Sequence, residues 1–152
     1  MNILITGGTG LIGRALSAVL VESGHQVNVL TRNPDKARNV LASGVLALKW
    51  QNADIEALSR LIEENDAVIN LAGESIAGEN LLGILTKRWT KESKKRIQQS
   101  RVDVGETLVK AIEIANKKPQ VFIQASAVGY YGVTGDEPLN ENEPKGDDFL
   151  AE

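Results

Sequence analysis

The run Thr6-Gly7-Gly8-Thr9-Gly10-Leu11-Ile12-Gly13 constrains this chain more than any other stretch. It follows the apolar run Ile3-Leu4-Ile5 and leads into a helical pattern, so it joins a buried strand to a helix. Gly7, Gly10 and Gly13 have the spacing GxxGxxG. In such a turn the first glycine permits the sharp bend and the second lets a diphosphate approach the backbone. The third lets the helix pack on the sheet. Unpaired N–H groups and the positive end of the helix dipole then face the phosphates. No Gly-Lys-Ser/Thr follows, which excludes a Walker-type phosphate loop. A glycine-rich turn that holds no ligand is the plainer alternative.

The rest of the chain alternates strand and helix patterns. Leu11 to Ser23 reads as a helix with Leu11, Ala15, Ala18, Val19 and Val21 on its apolar side, closed by Gly24. Val27 to Leu30 is a strand, and a helix from Asp35 to Ala42 follows with Pro34 in its first turn. Val45 to Leu48 is a strand, Ile55 to Glu64 a helix capped by Asp54, and Ala67 to Asn70 a strand. Thr90 to Lys118 carries Ile97, Val104, Leu108, Ile112 and Ala115 at helical spacing and ends in two lysines and Pro119. Val121 to Ile123 is the fifth strand. Alternation with short connections implies an α/β fold with a doubly wound, Rossmann-type parallel sheet in the order 3-2-1-4-5. The stretch from Gly129 to Asp148 reads as an irregular polar loop, and Phe149 to Glu152 as the first turn of another helix. Sheets of this kind usually continue to a sixth strand. The expectation is a dinucleotide-binding domain over residues 1–152, the N-terminal part of a longer protein whose substrate domain lies beyond it.

Composition narrows the chemistry. The 152 residues, 42% apolar and 24% charged, suit one domain. With no cysteine there are no disulfides, thiolate metal sites or thiol nucleophiles, and one histidine excludes a histidine-rich metal site. A net charge of −3 argues against a general nucleic-acid binder. No apolar run approaches the ~18 residues of a membrane helix, and no basic-then-apolar leader opens the chain. The expected compartment is the cytoplasm. Glu137, Glu141, Glu143, Asp147 and Asp148 lack ligand spacing, so no metal is expected. Lys87, Arg88, Lys91, Lys94, Lys95 and Arg96 read as a solvated helix face, with an anionic substrate or partner as the alternative. Trp89 reads as a packing or pocket-wall residue, and His25 as a surface residue at a turn.

Two strand ends speak to the cofactor. The second strand ends in Leu30-Thr31-Arg32-Asn33, with no carboxylate to accept a ribose 2′-OH and with an arginine suited to a 2′-phosphate. NADP is therefore the expected cofactor and NAD the alternative. The fourth strand ends in Asn70-Leu71-Ala72-Gly73, whose small residues leave room beside a cofactor. The candidate cofactor contacts are Gly7, Thr9, Gly10, Leu11, Ile12, Gly13, Thr31, Arg32, Asn33, Leu71, Ala72, Gly73 and Ser126.

Together, the glycine turn and Asn70-Leu71-Ala72-Gly73 resemble the extended short-chain dehydrogenase/reductase superfamily. Lys87-Arg88-Trp89-Thr90, Ser100-Arg101-Val102 and Ala125-Ser126-Ala127-Val128-Gly129-Tyr130-Tyr131-Gly132 resemble its atypical, sugar-nucleotide epimerase-like (cell-division-inhibitor-like) subgroup, across essentially the whole chain. The resemblance implies a nicotinamide cofactor and oxidoreductase or isomerase chemistry on a small molecule of the sugar-nucleotide class. Self-association into a homo-oligomer is expected on a different ground, the apolar sheet or helix surface that truncation would leave uncovered. The resemblance also implies a tyrosine that moves a proton, a lysine that lowers its pKa and a serine that holds the reacting oxygen. Ser126 stands approximately where that serine belongs, and Tyr131 is the candidate acid. The YxxxK pair is not visible; Asp148-Phe149-Leu150-Ala151-Glu152 stands in its region. Arg101 or Val102 stands where many extended members carry asparagine. Three readings follow: an NADP-binding epimerase- or reductase-like enzyme, a non-catalytic NADP(H)-binding regulatory or redox-sensing module, and a partner-binding scaffold without cofactor.

Overall fold

Ile3, Leu4, Ile5 and Thr6 are all buried, which requires a strand on each side of them and cover on both faces. The computed structural model describes residues 1–50, 54–74 and 90–151 and supplies both. Strands β1 (Asn2–Thr6), β2 (Gln26–Thr31), β3 (Val45–Lys49), β4 (Ala67–Asn70) and β5 (Val121–Gln124) form one parallel sheet in the order β3-β2-β1-β4-β5. That is the order expected from the sequence.

Strand alternation divides the core in two. Leu4, Leu30 and Val68 face Leu58 and Ile62 of α3 (Ile55–Glu63) and Leu108 and Ala111 of α4 (Lys91–Ile114). Ile3, Ile5, Val27, Val29, Ala67 and Ile69 face Leu16, Leu20 and Val21 of α1 (Leu11–Glu22), with Leu41 beside them. This corrects the expected apolar side of α1. Its inward row is Gly13, Leu16, Ser17, Leu20 and Val21, whereas Leu11, Ala15 and Val19 point outward. The small residues Gly13 and Ser17 let the helix approach closely, a reason that hydrophobicity alone does not carry.

The helix ends follow local chemistry. Helix α2 (Pro34–Arg38) is shorter than expected: after Arg38 the chain turns so that Leu41 joins the core under α1. The Asp54 side chain accepts from Ala57 N at 2.7 Å and caps α3 as anticipated. Thr90 caps α4 by accepting from Ser93 N. The Glu92 carboxylate lies at the same helix end. Its own backbone N–H, and after it the Thr90 hydroxyl, hold its pKa below the ordinary carboxylate value. Helix α4 stops at Ile114, short of Lys118, because Ala115 turns to extended geometry. The Lys118 ammonium then donates to the carbonyls of Ile112, Glu113 and Ala115, so the lysine closes the helix from outside it.

Beyond β5, Val128–Tyr131 form a 3-10 turn and the following residues are irregular, as expected. Residues 149–151 form one turn, in which the Asp148 carboxylate accepts from the backbone N–H of Leu150 and Ala151. No helix among the described residues is long and apolar enough to cross a membrane.

The fully buried Leu108 ties α4 to the sheet. Leu108→Ala is expected to lower stability by about 2–5 kcal/mol. Val109→Ala, at a position 42% exposed on the same helix, should change it by less than about 0.5 kcal/mol. Urea titration of both variants checks the contrast.

Candidate functional site

At the carboxyl end of β1, Gly7 has φ +69°, and a Cβ on it would lie 2.4 Å from the Leu71 carbonyl oxygen. Conformation and space both demand glycine here. The Gly7 carbonyl accepts from Gly10 N at 3.0 Å and closes the turn. A Cβ on Gly13 would lie 2.5 Å from the Gly8 Cα, so the third glycine seats α1 on the turn's own backbone rather than on the sheet. Gly10 is different. It has φ −72°, and an added Cβ would meet only the Gly7 carbonyl oxygen, at 3.3 Å.

Helix α1 starts here with no side-chain cap and no acidic residue in its first turn. Its first backbone bond is Arg14 N to Gly10 O, so the N–H groups of Leu11, Ile12 and Gly13 precede the helical ladder. Leu11 and Ile12 are 80% and 69% exposed, an unusual position for large apolar residues, and Thr9 is exposed beside them. Leu71, Ala72 and Gly73 leave β4 against Gly7, so the two segments expected to contact the cofactor stand side by side.

A polar row that the sequence reading missed lies across the strand ends. Thr6 pairs with Asn70 in register, and Asn70 with Gln124. The Thr6 hydroxyl donates to Asn70 Oδ1, which also accepts from Ala72 N at 3.1 Å. Asn70 Nδ2 donates to Gln124 Oε1 at 2.7 Å. The available signal was a polar residue closing an apolar run at the last position of each of the three strands.

At the end of β2, Thr31 Oγ1 accepts from Asn33 N at 3.3 Å, and Asn33 Oδ1 accepts from Lys36 N at 3.1 Å. Asn33 is thus the cap of α2. Arg32 between them is exposed and has no ion-pair partner among the described residues, whereas Arg38 is paired with Asp35 at 2.7 Å.

Ser126 and Tyr131 line one open cleft of about 340 Å³ with Ala127, Val128 and Tyr130 at the carboxyl end of β5. The two tyrosine rings meet edge to face at 5.3 Å, and Gly146 N donates to the Tyr130 carbonyl, folding the tail back on this turn. The basic face is divided: Lys94 lies 4.8 Å over the Phe149 ring, Arg96 is 3.6 Å from the Glu74 carboxylate, and Lys91 and Lys95 are exposed. Lys87, Arg88 and Trp89 lie outside the described residues. His25 Nδ1 is 3.3 Å from the terminal amino group of Met1, at the opposite ends of the strands.

Comparison with known proteins agrees with this geometry. Residues 3–148 match the model of the NAD dependent epimerase/dehydratase family. Epimerase family protein YfhF of Bacillus subtilis (strain 168) is 36% identical over 152 residues, which cover 99% of this chain and 46% of that protein. The crystal structure of human epimerase family protein SDR39U1 (isoform 2) with NADPH has a TM-score of 0.75 at 31% identity, covering 99% of this chain and 45% of that one. UDP-glucose 4-epimerase from Brucella ovis, in complex with NAD, shares the fold with a TM-score of 0.71 at 21% identity, over 99% of this chain and 43% of that one. The chain spans about half the length of these relatives. A parallel sheet wound in this order, a glycine turn pressed against the end of β4 and a family match over nearly every residue have one common meaning: the chain belongs to the NAD-dependent epimerase/dehydratase family, within the extended short-chain dehydrogenase/reductase superfamily.

Proposed function

We propose that residues 1–152 are a dinucleotide-binding domain that holds NADP(H), in preference to NAD(H), across the carboxyl ends of β1, β2 and β4. The observation that carries this is the turn at Gly10. The uncapped start of α1 offers N–H donors there, and the bare Cα leaves space in front of them. Leu11, Ile12 and Gly13 N–H would hold the diphosphate. Leu11 and Ile12 would lose exposed apolar area against the ligand, which stabilises the complex at roughly 25 cal/mol per Å². Leu71, Ala72 and Gly73 would wall the site, and Thr9 would close its outer rim.

Arg32 would supply the preference. Among the described residues it pairs with no carboxylate at the end of β2, and its guanidinium can fork two donors onto a 2′-phosphate. Thr31 brings no negative charge beside it. Asn33 has its side-chain oxygen engaged in capping, so its part is limited to the amide N–H₂ group.

When bound, the nicotinamide supplies a hydride donor or acceptor. On the chain's side, Ser126 would hold the reacting oxygen and Tyr131 would move its proton, both from the cleft after β5. The substrate class that fits the epimerase family is a sugar nucleotide. A second reading, a non-catalytic NADP(H)-binding module, is favoured by a specific feature: Thr134 and Gly135, not lysine, stand four residues after Tyr130 and Tyr131. Neither tyrosine therefore has the sequence-adjacent cation that would make its phenol a better acid.

Gly10→Leu is expected to abolish NADPH binding while the fold survives, because φ at this position suits any residue and the added Cβ meets one oxygen only. Circular dichroism and calorimetry on the same sample separate the two effects; unchanged affinity would remove the glycine turn from the site.

For cofactor choice, the measurement is titration with NADPH and NADH on the wild type and Arg32→Ala. A charge-assisted pair contributes roughly 1.5–3 kcal/mol, or about ten- to hundredfold. The variant should lose most of its NADPH preference and keep its NADH affinity. Equal wild-type affinities, or a preference that outlives the substitution, would exclude Arg32. The chain alone is expected to bind without turning over UDP-sugars. Cofactor-dependent turnover above a heat-inactivated control would refute this and favour the enzyme reading for the chain itself.

A further inference from the structure

Strand pairing ends at Asn70, yet the next residues are held on both sides. Toward β1, Leu71 N donates to Thr6 O at 3.1 Å, and the Leu71 carbonyl lies against Gly7. Toward α4, both backbone groups of Glu74 are engaged. Its N–H donates to Ser100 Oγ at 2.8 Å, and its carbonyl accepts from Arg101 Nη2 at 3.2 Å. The hydroxyl of Ser100 and Nη1 of Arg101 both donate to the Ile97 carbonyl, at 2.8 and 3.1 Å, which anchors the pair on the helix.

The Arg101 guanidinium also occupies the space that a side chain at residue 73 would need. A Cβ on Gly73 would lie 3.0 Å from Cζ and 3.2 Å from both Nε and Nη2. Arg101 is half-buried and forms no ion pair among the described residues, so its charge is not spent on a carboxylate. Its two bonds instead go to carbonyls on two different elements. Asparagine is too short to span from α4 to the loop in this way, and lysine has one nitrogen where two separated donors are used.

We propose that Arg101 is a positioning residue of the dinucleotide site: it clamps Gly73 and Glu74 to α4 and so fixes Leu71, Ala72 and Gly73 as a wall beside the glycine turn. This rests on the cofactor reading above and adds to it a residue that acts through the wall. Gly73 and Arg101 form a matched pair, the missing side chain of one accommodating the planar head of the other.

The test compares wild type, Arg101→Gln, Arg101→Lys, Gly73→Ala, Arg101→Ala and the Gly73→Ala/Arg101→Ala double variant, with the core variant Leu108→Ala as a control for stability alone. Arg101→Gln should weaken NADPH binding by about tenfold, and Arg101→Lys should restore only part of it. Amide exchange at Ala72, Gly73 and Glu74 should quicken in Arg101→Gln without ligand, while Leu108→Ala loses stability and keeps its affinity. Gly73→Ala should weaken binding when Arg101 is present and add nothing when residue 101 is alanine. Should Arg101→Gln not fold, Gly73→Ala carries the same test, because its added methyl meets only the end of a flexible side chain. Unchanged affinity and exchange in Arg101→Gln, or equal effects of Gly73→Ala in both backgrounds, would overturn the proposal while leaving the cofactor reading in place. A wild type that binds neither NADPH nor NADH would overturn both.

Discussion

The approach of Gly7 to the Leu71 carbonyl is the constraint on which this end of the molecule depends. The central strand must turn sharply into α1 while the neighbouring strand leaves the sheet beside it. Both chains pass so close that no side chain fits between them. A substitution at Gly7 would meet two penalties at once, a positive φ and a collision with backbone that has nowhere to move. The start of α1 inherits its position from that contact. Gly13 then brings the helix down on Gly8, leaving Gly10 as the member of the glycine pattern with open space before it.

The row Thr6, Asn70 and Gln124 does for the strand ends what apolar packing does for the middle of the sheet. Thr6 and Asn70 are buried, and such groups cost about 1–3 kcal/mol each when left unpaired. Their side chains satisfy one another, and Asn70 also takes the Ala72 N–H, so the row sets where the loop after β4 begins. Among the described residues no buried side-chain nitrogen or oxygen lacks a partner. Order in the wall of the candidate site therefore begins beneath it, in hydrogen bonds between neighbouring strands, and continues outward to Arg101.

The sheet was legible because a strand buried on both faces has a simple signature, a short apolar run between turns. Ala67–Asn70 matched to the residue. The glycine turn was legible because backbone geometry demands a residue type there. Helix α1 was misread on its inward face because it is apolar on several sides, and close packing selected Gly13 and Ser17 instead of the largest hydrophobes. Helix α2 ended early for a tertiary reason, the diversion of Leu41 into the core. The polar row and the Arg101 clamp are side-chain contacts between segments far apart in sequence. Spacing along the chain does not pair such residues, although the polar strand ends were in view.

The surroundings of Arg32 and Arg101 suit them to different work. Arg32 follows β2 and Arg101 serves the loop after β4, on opposite sides of β1 in the sheet order. The chain as a whole is acidic, at −3, so affinity for a phosphorylated ligand must come from local groups and not from a general field. Arg32 is exposed, and its attraction is screened by salt over about a Debye length of ~10 Å. In the proposed complex such a group would discriminate between ligands that differ by one phosphate, while in the unliganded chain it pairs with no carboxylate among the described residues. Arg101 is half-buried, with its donors already directed at two carbonyls. On the proposed role its contribution is present in the unliganded chain as a fixed wall, which would reduce the ordering that binding otherwise requires. On the proposed roles, cofactor selection and pre-organisation would be carried by separate cations, so that either property could change without the other.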